Sequence, residues 1–314
     1  MKAVKYYKFG DPGVLKLVEM EESRVEANEI KVEVYSTSVN SGDCHMRSGR
    51  PFMARLFAGP ITPRQKILGT TYSGKVIQVG PDVKSFSLGD EVFGSLGSRS
   101  GAYMEEIVVS EDSIIAQKPS QLTFEEAVST VFGGLSGKYF LDKADIQKGK
   151  SVLVIGASGG VGSYAVQYAS ALGAVVTGVC NNKSTEFVKS LGAEKVIDYK
   201  SQSLDHYNET YDIIFDTVGQ VSLPKVNNLL SPCGIYTTTI ARFDIFFYKK
   251  KDKRFLFDID KSTSSDLIDL SYLIDMEKIK PLIDKIYDFD EMPEAHRYVE
   301  TASKKGTVIV NVKK

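Results

Sequence analysis

The stretch Ser151-Val152-Leu153-Val154-Ile155-Gly156-Ala157-Ser158-Gly159-Gly160-Val161-Gly162 decides the fold. Val152 to Ile155 form an unbroken apolar run, as a strand buried on both faces requires. A glycine-rich turn follows, and Val161 to Leu172 then has helical periodicity that stops at Gly173. In a G-x-G-x-x-G frame the three positions are Ala157, Gly159 and Gly162, so alanine stands at the first of them. Strand, bare turn and helix in this order let the backbone approach a pyrophosphate with no side chain in the way. The helix N-terminus adds free N–H groups and the positive end of its dipole. Ala157, Ser158, Gly159, Gly160, Val161 and Gly162 are therefore expected to hold a dinucleotide. The competing reading is a turn that serves packing alone.

Outward from this turn, strand and helix patterns alternate. VVTGVC (175–180) reads as the second strand, and Thr185 to Leu191 as a helix stopped by Gly192. KVIDY (195–199), YDIIFD (211–216) and GIYTTT (234–239) read as further strands, which gives a parallel, doubly wound sheet. The end of the second strand bears on the choice of dinucleotide. A site for NAD usually places an acid there to hold the ribose 2′-OH. This chain has Cys180-Asn181-Asn182-Lys183, with no acid until Glu186. Asn181 and Asn182 can donate hydrogen bonds to a 2′-phosphate and Lys183 can neutralise its charge, so NADPH is expected over NADH. An exposed Lys183 with no ligand is the alternative.

The first 120 residues show short alternating strands, among them EIKVEVY (29–35), GKVIQV (74–79), 90–93 and 103–109, separated by Gly, Pro and Asp turns. They predict a small, strongly bent, barrel-like sheet. Thr123 and Glu126 form a capping-box signature. Beyond Ser262, helices over 266–276 and 293–302 precede a last strand over 307–312. The chain of 314 residues carries 39 Lys and Arg against 40 Asp and Glu, a formal net charge of −1. That balance offers no footprint for nucleic acid or an anionic membrane. No apolar run reaches the ~18 residues that span a bilayer, and the N-terminus lacks the apolar core of a secretory signal. Cys44, Cys180 and Cys233 are scattered with no CxxC pair, which argues against a disulfide framework and fits a reducing cytoplasm. The run KKKDKR (249–254) reads as a solvated loop. His206 and His296 read as structural or exposed.

Several motifs in order resemble one family: N-x-x-D-x-x-x-R-x-G from Asn40 to Gly49, LGTTYSGKVIQVG (68–80), SLGDEVFG (87–94), GAYMEEIVV (101–109), the GASGGVG turn, LGAEKVIDY (191–199), FDTVG (215–219) and AHRYVE (295–300). The chain is similar to the medium-chain dehydrogenase/reductases, and within them to the zinc-free quinone oxidoreductase branch that includes zeta-crystallin. The resemblance implies an α/β protein with a Rossmann sheet (123–262) inserted in a GroES-like β-rich catalytic domain made from both chain ends (1–122 plus 263–314). It implies a homodimer that transfers hydride from NADPH to a quinone or other conjugated carbonyl. It places Tyr199 beside Lys183 at the adenosine phosphate, Asn40 near the nicotinamide, and Val218 and Gly219 in the turn beneath the cofactor. Zinc-containing relatives ligate the metal with cysteine at the position of Asn40 and histidine at that of Thr70, so no metal is expected here. Two departures from the family pattern are Thr71 in place of an acid and Arg50-Pro51-Phe52 in place of a tyrosine. Asn40 and Tyr103 are the candidate hydrogen-bond partners of the carbonyl, and Asp43 and Arg47, four apart, are expected to pair on one helical turn and shape the active-site loop, with direct substrate contact as the alternative. The rival readings are an enoyl-thioester or alkenal/one reductase on the same scaffold, and a non-catalytic NADPH-binding protein.

Overall fold

The strand expected over Glu29 to Tyr35 runs on to Val39, because the hydroxyls that break its alternation are all paired. Ser36 Oγ donates to Asn311 Oδ1 (2.8 Å), Thr37 Oγ1 donates to Thr71 O (2.7 Å), and Ser38 Oγ shares a hydrogen bond with Thr71 Oγ1 (2.7 Å). Paired in this way, polar residues sit in a buried strand without a desolvation penalty. The structure, a computed structural model, describes residues 1–50, 55, 58–201, 204, 207–240, 244–245, 248 and 252–313. Pro51, Phe52, His206 and residues 249–251 of the basic run lie outside the described residues.

The chain divides into two units. Met1–Phe132, Thr263–Ser271 and Pro281–Lys314 make the first, and Gly133–Ser262 with Tyr272–Lys280 the second. The first holds β1 (Lys2–Lys5), β2 (Lys16–Glu19), β3 (Glu29–Val39), α1 (Ser41–Ser48), β4 (Thr71–Val79), β5 (Glu91–Ser95), β6 (Glu106–Ser110) and β7 (Ile114–Gln117). Helix α2 (Phe124–Lys143) starts on the expected capping box: Thr123 N donates to Glu126 Oε2 (2.9 Å) and Glu126 N to Thr123 Oγ1 (3.2 Å). The second unit holds β8 (Ser151–Ile155), α3 (Gly162–Ala171), β9 (Val175–Cys180), α4 (Thr185–Ser190), β10 (Lys195–Asp198), β11 (Tyr211–Asp216), α5 (Leu223–Leu229), β12 (Leu230–Thr238) and β13 (Phe255–Phe257). Then come α6 (Ser264–Asp275), β14 (Ile283–Asp288), α7 (Met292–Glu300) and β15 (Thr307–Asn311).

In the first unit a seven-stranded sheet runs β14-β15-β3-β4-β5-β7, with β6 also paired to β3. The C-terminal β15 lies antiparallel to β3, so both chain ends build one sheet. The second unit is a six-stranded sheet in the order β10-β9-β8-β11-β12-β13, parallel throughout. With β8 taken as the first strand this is the Rossmann order 3-2-1-4-5-6. The order reverses between β8 and β11, and ligands of such sheets bind beyond the C-terminal ends of the strands at that switch point. Strands β2, β7, β13 and β14 and helix α5 were not expected from the sequence. β14 is only partly buried along its length, so its alternation is weak.

Candidate functional site

In the second unit the two turns that flank the switch point meet. Gly156 closes β8 at φ +83°, where a Cβ would lie 2.5 Å from Thr217 Oγ1 and 2.6 Å from Val218 Cγ2. Glycine is required here by conformation and by contact. The N–H groups of Gly156 and Ala157 both donate to Val179 O at 3.0 Å, which ties the turn to β9. Gly159 N donates to Gly156 O (3.0 Å). The N–H groups of Ser158, Gly160 and Val161 meet no protein acceptor among the described residues, and Val161 caps α3 with no side-chain bond. Three open N–H groups before an uncapped helix are the donor set a pyrophosphate takes.

The glycines of this turn do different jobs. A Cβ on Gly162 would lie 2.1 Å from Gly156 O and 3.0 Å from Ala157 Cα, so Gly162 lets the helix start against the turn. A Cβ on Gly159 would meet only Gly156 O, at 3.4 Å, and its φ is outside the left-handed region. Gly159 is thus not strained, and nothing in the protein forbids a side chain there.

Beyond β11 a buried carboxylate organises the second turn. Asp216 Oδ1 accepts the N–H groups of Val218 (2.9 Å) and Gly219 (2.8 Å), and Oδ2 accepts the Tyr236 hydroxyl (3.1 Å). Gly219 sits at φ +73° and Val218 projects outward, 41% exposed. Asp216 was missed as a site residue, although an Asp two residues before a Val-Gly pair is an Asx-turn signature.

At the end of β9, Tyr199 N donates to Cys180 O (3.2 Å) and its side chain is 53% exposed. Asn182 and Lys183 open a short 3₁₀ turn and are exposed. Asn181 Oδ1 is buried and unpartnered. Asp198, in register with Cys180, is an acid that sequence reading overlooked. Its carboxyl accepts Lys200 N (Oδ1, 3.1 Å), and this bond is the largest cause holding it below the ordinary carboxylate range.

In the first unit the N-x-x-D-x-x-x-R-x-G motif proves to be a capped helix. Asn40 Oδ1 accepts Asp43 N (3.1 Å) and Asp43 Oδ2 accepts Asn40 N (3.0 Å), a capping box. Gly49 ends α1 at φ +63°. Asp43 Oδ1 also accepts Gly69 N (3.3 Å), and Asn40 Nδ2 donates to Thr70 Oγ1 at 3.5 Å. Asn40 is therefore held from both ends. The expected Asp43–Arg47 pair does not form. Arg47 is fully buried and pairs with Glu300 of α7, because the capping box points Asp43 back along the helix axis. Tyr103 is wholly enclosed, and its hydroxyl lies 3.2 Å from His296 Nε2. Its hydroxyl is thus engaged inside the protein. His296, fully buried on α7, matches the structural expectation.

Burial raises the Asp43 carboxyl to about 6, against the opposing bonds from Asn40 N and Gly69 N. A carboxyl whose folded pKa exceeds its unfolded value contributes stability at low pH that is lost as the pH rises through the folded pKa. The shift corresponds to about 3 kcal/mol. Denaturant unfolding at pH values below and above this window is expected to show that loss in the native chain and not in Asp43→Asn. An equal pH dependence in both proteins would refute it.

A cavity of about 540 Å³ opens in the same unit, with Phe9, Cys44, His45, Arg50 and Glu300 among its walls. Asn40 and Thr70 bring together an amide and a hydroxyl, bonded to each other. Neither is a zinc donor of the usual kind. Among the described residues no three His, Cys, Asp or Glu side chains are grouped to hold a metal.

A Rossmann sheet with a bare glycine turn at its switch point, in a chain that also builds a GroES-like sheet, is the architecture of a nicotinamide-dependent oxidoreductase. The alcohol dehydrogenase GroES-like domain family matches residues 26–120, and the zinc-binding dehydrogenase family matches 191–310. The chain is 31% identical to the mitochondrial NAD(P)H oxidoreductase RTN4IP1 of Homo sapiens, over 91% of this chain and 82% of that one. It is 27% identical to the chloroplastic NADPH-dependent alkenal/one oxidoreductase of Arabidopsis thaliana, over 99% and 79%. The solved quinone oxidoreductase from Coxiella burnetii superposes with a TM-score of 0.91 at 30% identity, over 100% of this chain and 99% of that one. The chain belongs to the medium-chain dehydrogenase/reductase superfamily, in its zinc-free quinone oxidoreductase branch. No helix among the described residues is long and apolar enough to cross a membrane.

Proposed function

We propose that the protein is an NADPH-dependent oxidoreductase that transfers hydride to a quinone or other conjugated carbonyl without zinc. The observation that carries this reading is the turn at Ser158–Val161, with open N–H groups and a Gly159 that no protein contact requires to be bare. Ala157 to Gly162 would hold the pyrophosphate, Asn181, Asn182, Lys183 and Tyr199 the adenosine phosphate, and Asn40, Val218 and Gly219 the nicotinamide. The nicotinamide supplies the hydride when bound. Hydride addition to an extended π-system leaves a charge that delocalises as an enolate or hydroquinone, so less electrophilic help is needed than for a simple ketone. The protein then acts mainly by holding donor and acceptor in line. Quinone oxidoreductase and alkenal/one oxidoreductase relatives support an acceptor of this electronic class. The family resemblance adds a homodimer, and cysteines that form no disulfide among the described residues fit a reducing compartment such as the cytoplasm.

Two measurements test this. NADPH oxidation by 1,4-benzoquinone should be indifferent to EDTA and phenanthroline; loss of activity restored by zinc would overturn the zinc-free reading. Lys183→Glu places a carboxylate against the 2′-phosphate, and should weaken NADPH about 10-fold or more while leaving NADH nearly unchanged. Equal losses for both cofactors in fluorescence titrations would remove Lys183 and its neighbours from the site.

A further inference from the structure

A glycine on another helix touches the cofactor turn. Gly133 is buried, in the part of α2 that belongs to the second unit. A Cβ on Gly133 would lie 2.2 Å from Gly160 O, 3.1 Å from Gly160 C and 2.5 Å from Tyr164 Cδ2. No side chain fits in that space, so the Gly160 carbonyl packs directly on the backbone of α2. The carbonyls on either side of it are bonded into the start of α3: Gly159 O accepts Ser163 N (2.9 Å) and Val161 O accepts Ala165 N (2.9 Å).

A trans peptide is planar, and its C=O and N–H point in opposite directions. Gly160 O and Val161 N belong to one such unit. With the carbonyl turned into α2, the Val161 N–H is turned away from α2, and it meets no protein acceptor among the described residues. Val161 is already helical, at φ −87° and ψ −45°, so this N–H stands among the open donors at the start of α3.

We propose that Gly133 is a positioning residue for the cofactor: by leaving room for the Gly160 carbonyl, it aims the Val161 N–H at the pyrophosphate. This role rests on the cofactor reading of the Ser158–Val161 turn and adds to it a residue of another helix. A methyl group at position 133 is not easily absorbed by α2. Phe140 of α2 stacks on Phe215 of β11, with ring centroids 5.7 Å apart, and Asp142 Oδ1 of α2 accepts the Tyr168 hydroxyl of α3 (2.6 Å). A helix held at two points moves less readily than one peptide of a turn, so the Gly160–Val161 peptide rotates instead and its N–H leaves its line. Hydrogen bonds to charged groups are among the stronger ones, so a misaimed donor should weaken NADPH about 10-fold or more. Lys183 and Tyr199, past the ends of β9 and β10, should be left as they are.

The test compares NADPH, which carries the pyrophosphate, with adenosine 2′-monophosphate, which has none. Fluorescence titration gives the first affinity and calorimetry the second, for the native chain, Gly133→Ala and Gly137→Ala. Gly137→Ala crowds the same pair of helices elsewhere, its Cβ 3.1 Å from Ala165 N and 3.3 Å from Ala165 Cα. Gly133→Ala should weaken NADPH about 10-fold or more and leave adenosine 2′-monophosphate within about 2-fold, whereas Gly137→Ala should keep the native ratio of the two affinities. Near-native NADPH affinity or equal losses for both ligands in Gly133→Ala, or the same selective loss in Gly137→Ala, would overturn the proposal. If Gly133→Ala does not fold, the native chain decides. Its Val161 amide, followed by ¹⁵N NMR with valine labelling, should shift and become protected from exchange when NADPH binds, and an amide that does neither overturns the proposal. A native chain that binds no NADPH at all would instead overturn the cofactor reading, and this role with it.

Discussion

Gly159→Val is expected to leave the protein folded and to strip it of NADPH. A Cβ at this position meets only Gly156 O, at 3.4 Å, and the backbone is outside the left-handed region. The apo protein should therefore melt cooperatively, within about 1 kcal/mol of the native chain. A pyrophosphate lying on the open N–H groups of Ser158, Gly160 and Val161 would meet the new side chain directly. Affinity should fall at least ~100-fold, about 2.7 kcal/mol. Gly162→Ala is the contrasting case. Its Cβ would lie 2.1 Å from Gly156 O, backbone against backbone, so the strand-to-helix turn must shift. That substitution should cost about 3 kcal/mol or more of stability in the absence of cofactor. Melts without cofactor and fluorescence titrations with NADPH separate the two. Near-native affinity in Gly159→Val would mean that the turn is packing alone.

Asp216→Ala should be the most damaging change at the second turn. It removes one carboxylate that serves Val218 N, Gly219 N and the buried Tyr236 hydroxyl. Three donors lose their acceptor together, at about 3–5 kcal/mol. The turn that carries Val218 and Gly219 loses its tether, so cofactor affinity should fall along with the urea midpoint. Tyr236→Phe removes one of the three bonds and should cost about 1 kcal/mol. Stability of Asp216→Ala within about 1 kcal/mol of the native chain would show that water replaces the carboxylate and that the turn holds itself.

What was legible in the sequence was local. The apolar run of β8, the stops at Gly173 and Gly192 and the Thr123–Glu126 capping box each depend on residues a few positions apart, and all appear in the structure. The N-x-x-D-x-x-x-R-x-G motif was legible as a pattern but not as a device. Asn40 and Asp43 cap each other, whereas Arg47 finds Glu300, 253 residues away. No spacing rule could announce that pair, nor Tyr103 against His296 across 193 residues. The continuation of β3 through Ser36, Thr37 and Ser38 was hidden for a related reason, since their hydroxyl partners lie on β4 and β15. Asp198 was not legible from the end of β9, because the neighbouring β10 supplies it, in register with Cys180.

The most direct measurement of the central claim follows the hydride itself. NADPH deuterated at the transferable position of the nicotinamide is turned over with an α,β-unsaturated aldehyde, and the product is read by NMR and mass spectrometry. Conjugate reduction, the reaction proposed here, places deuterium on the β-carbon and leaves the aldehyde intact. Deuterium on the carbonyl carbon of an alcohol product would contradict it, and so would tight NADPH binding with no transfer to the enal or to a quinone.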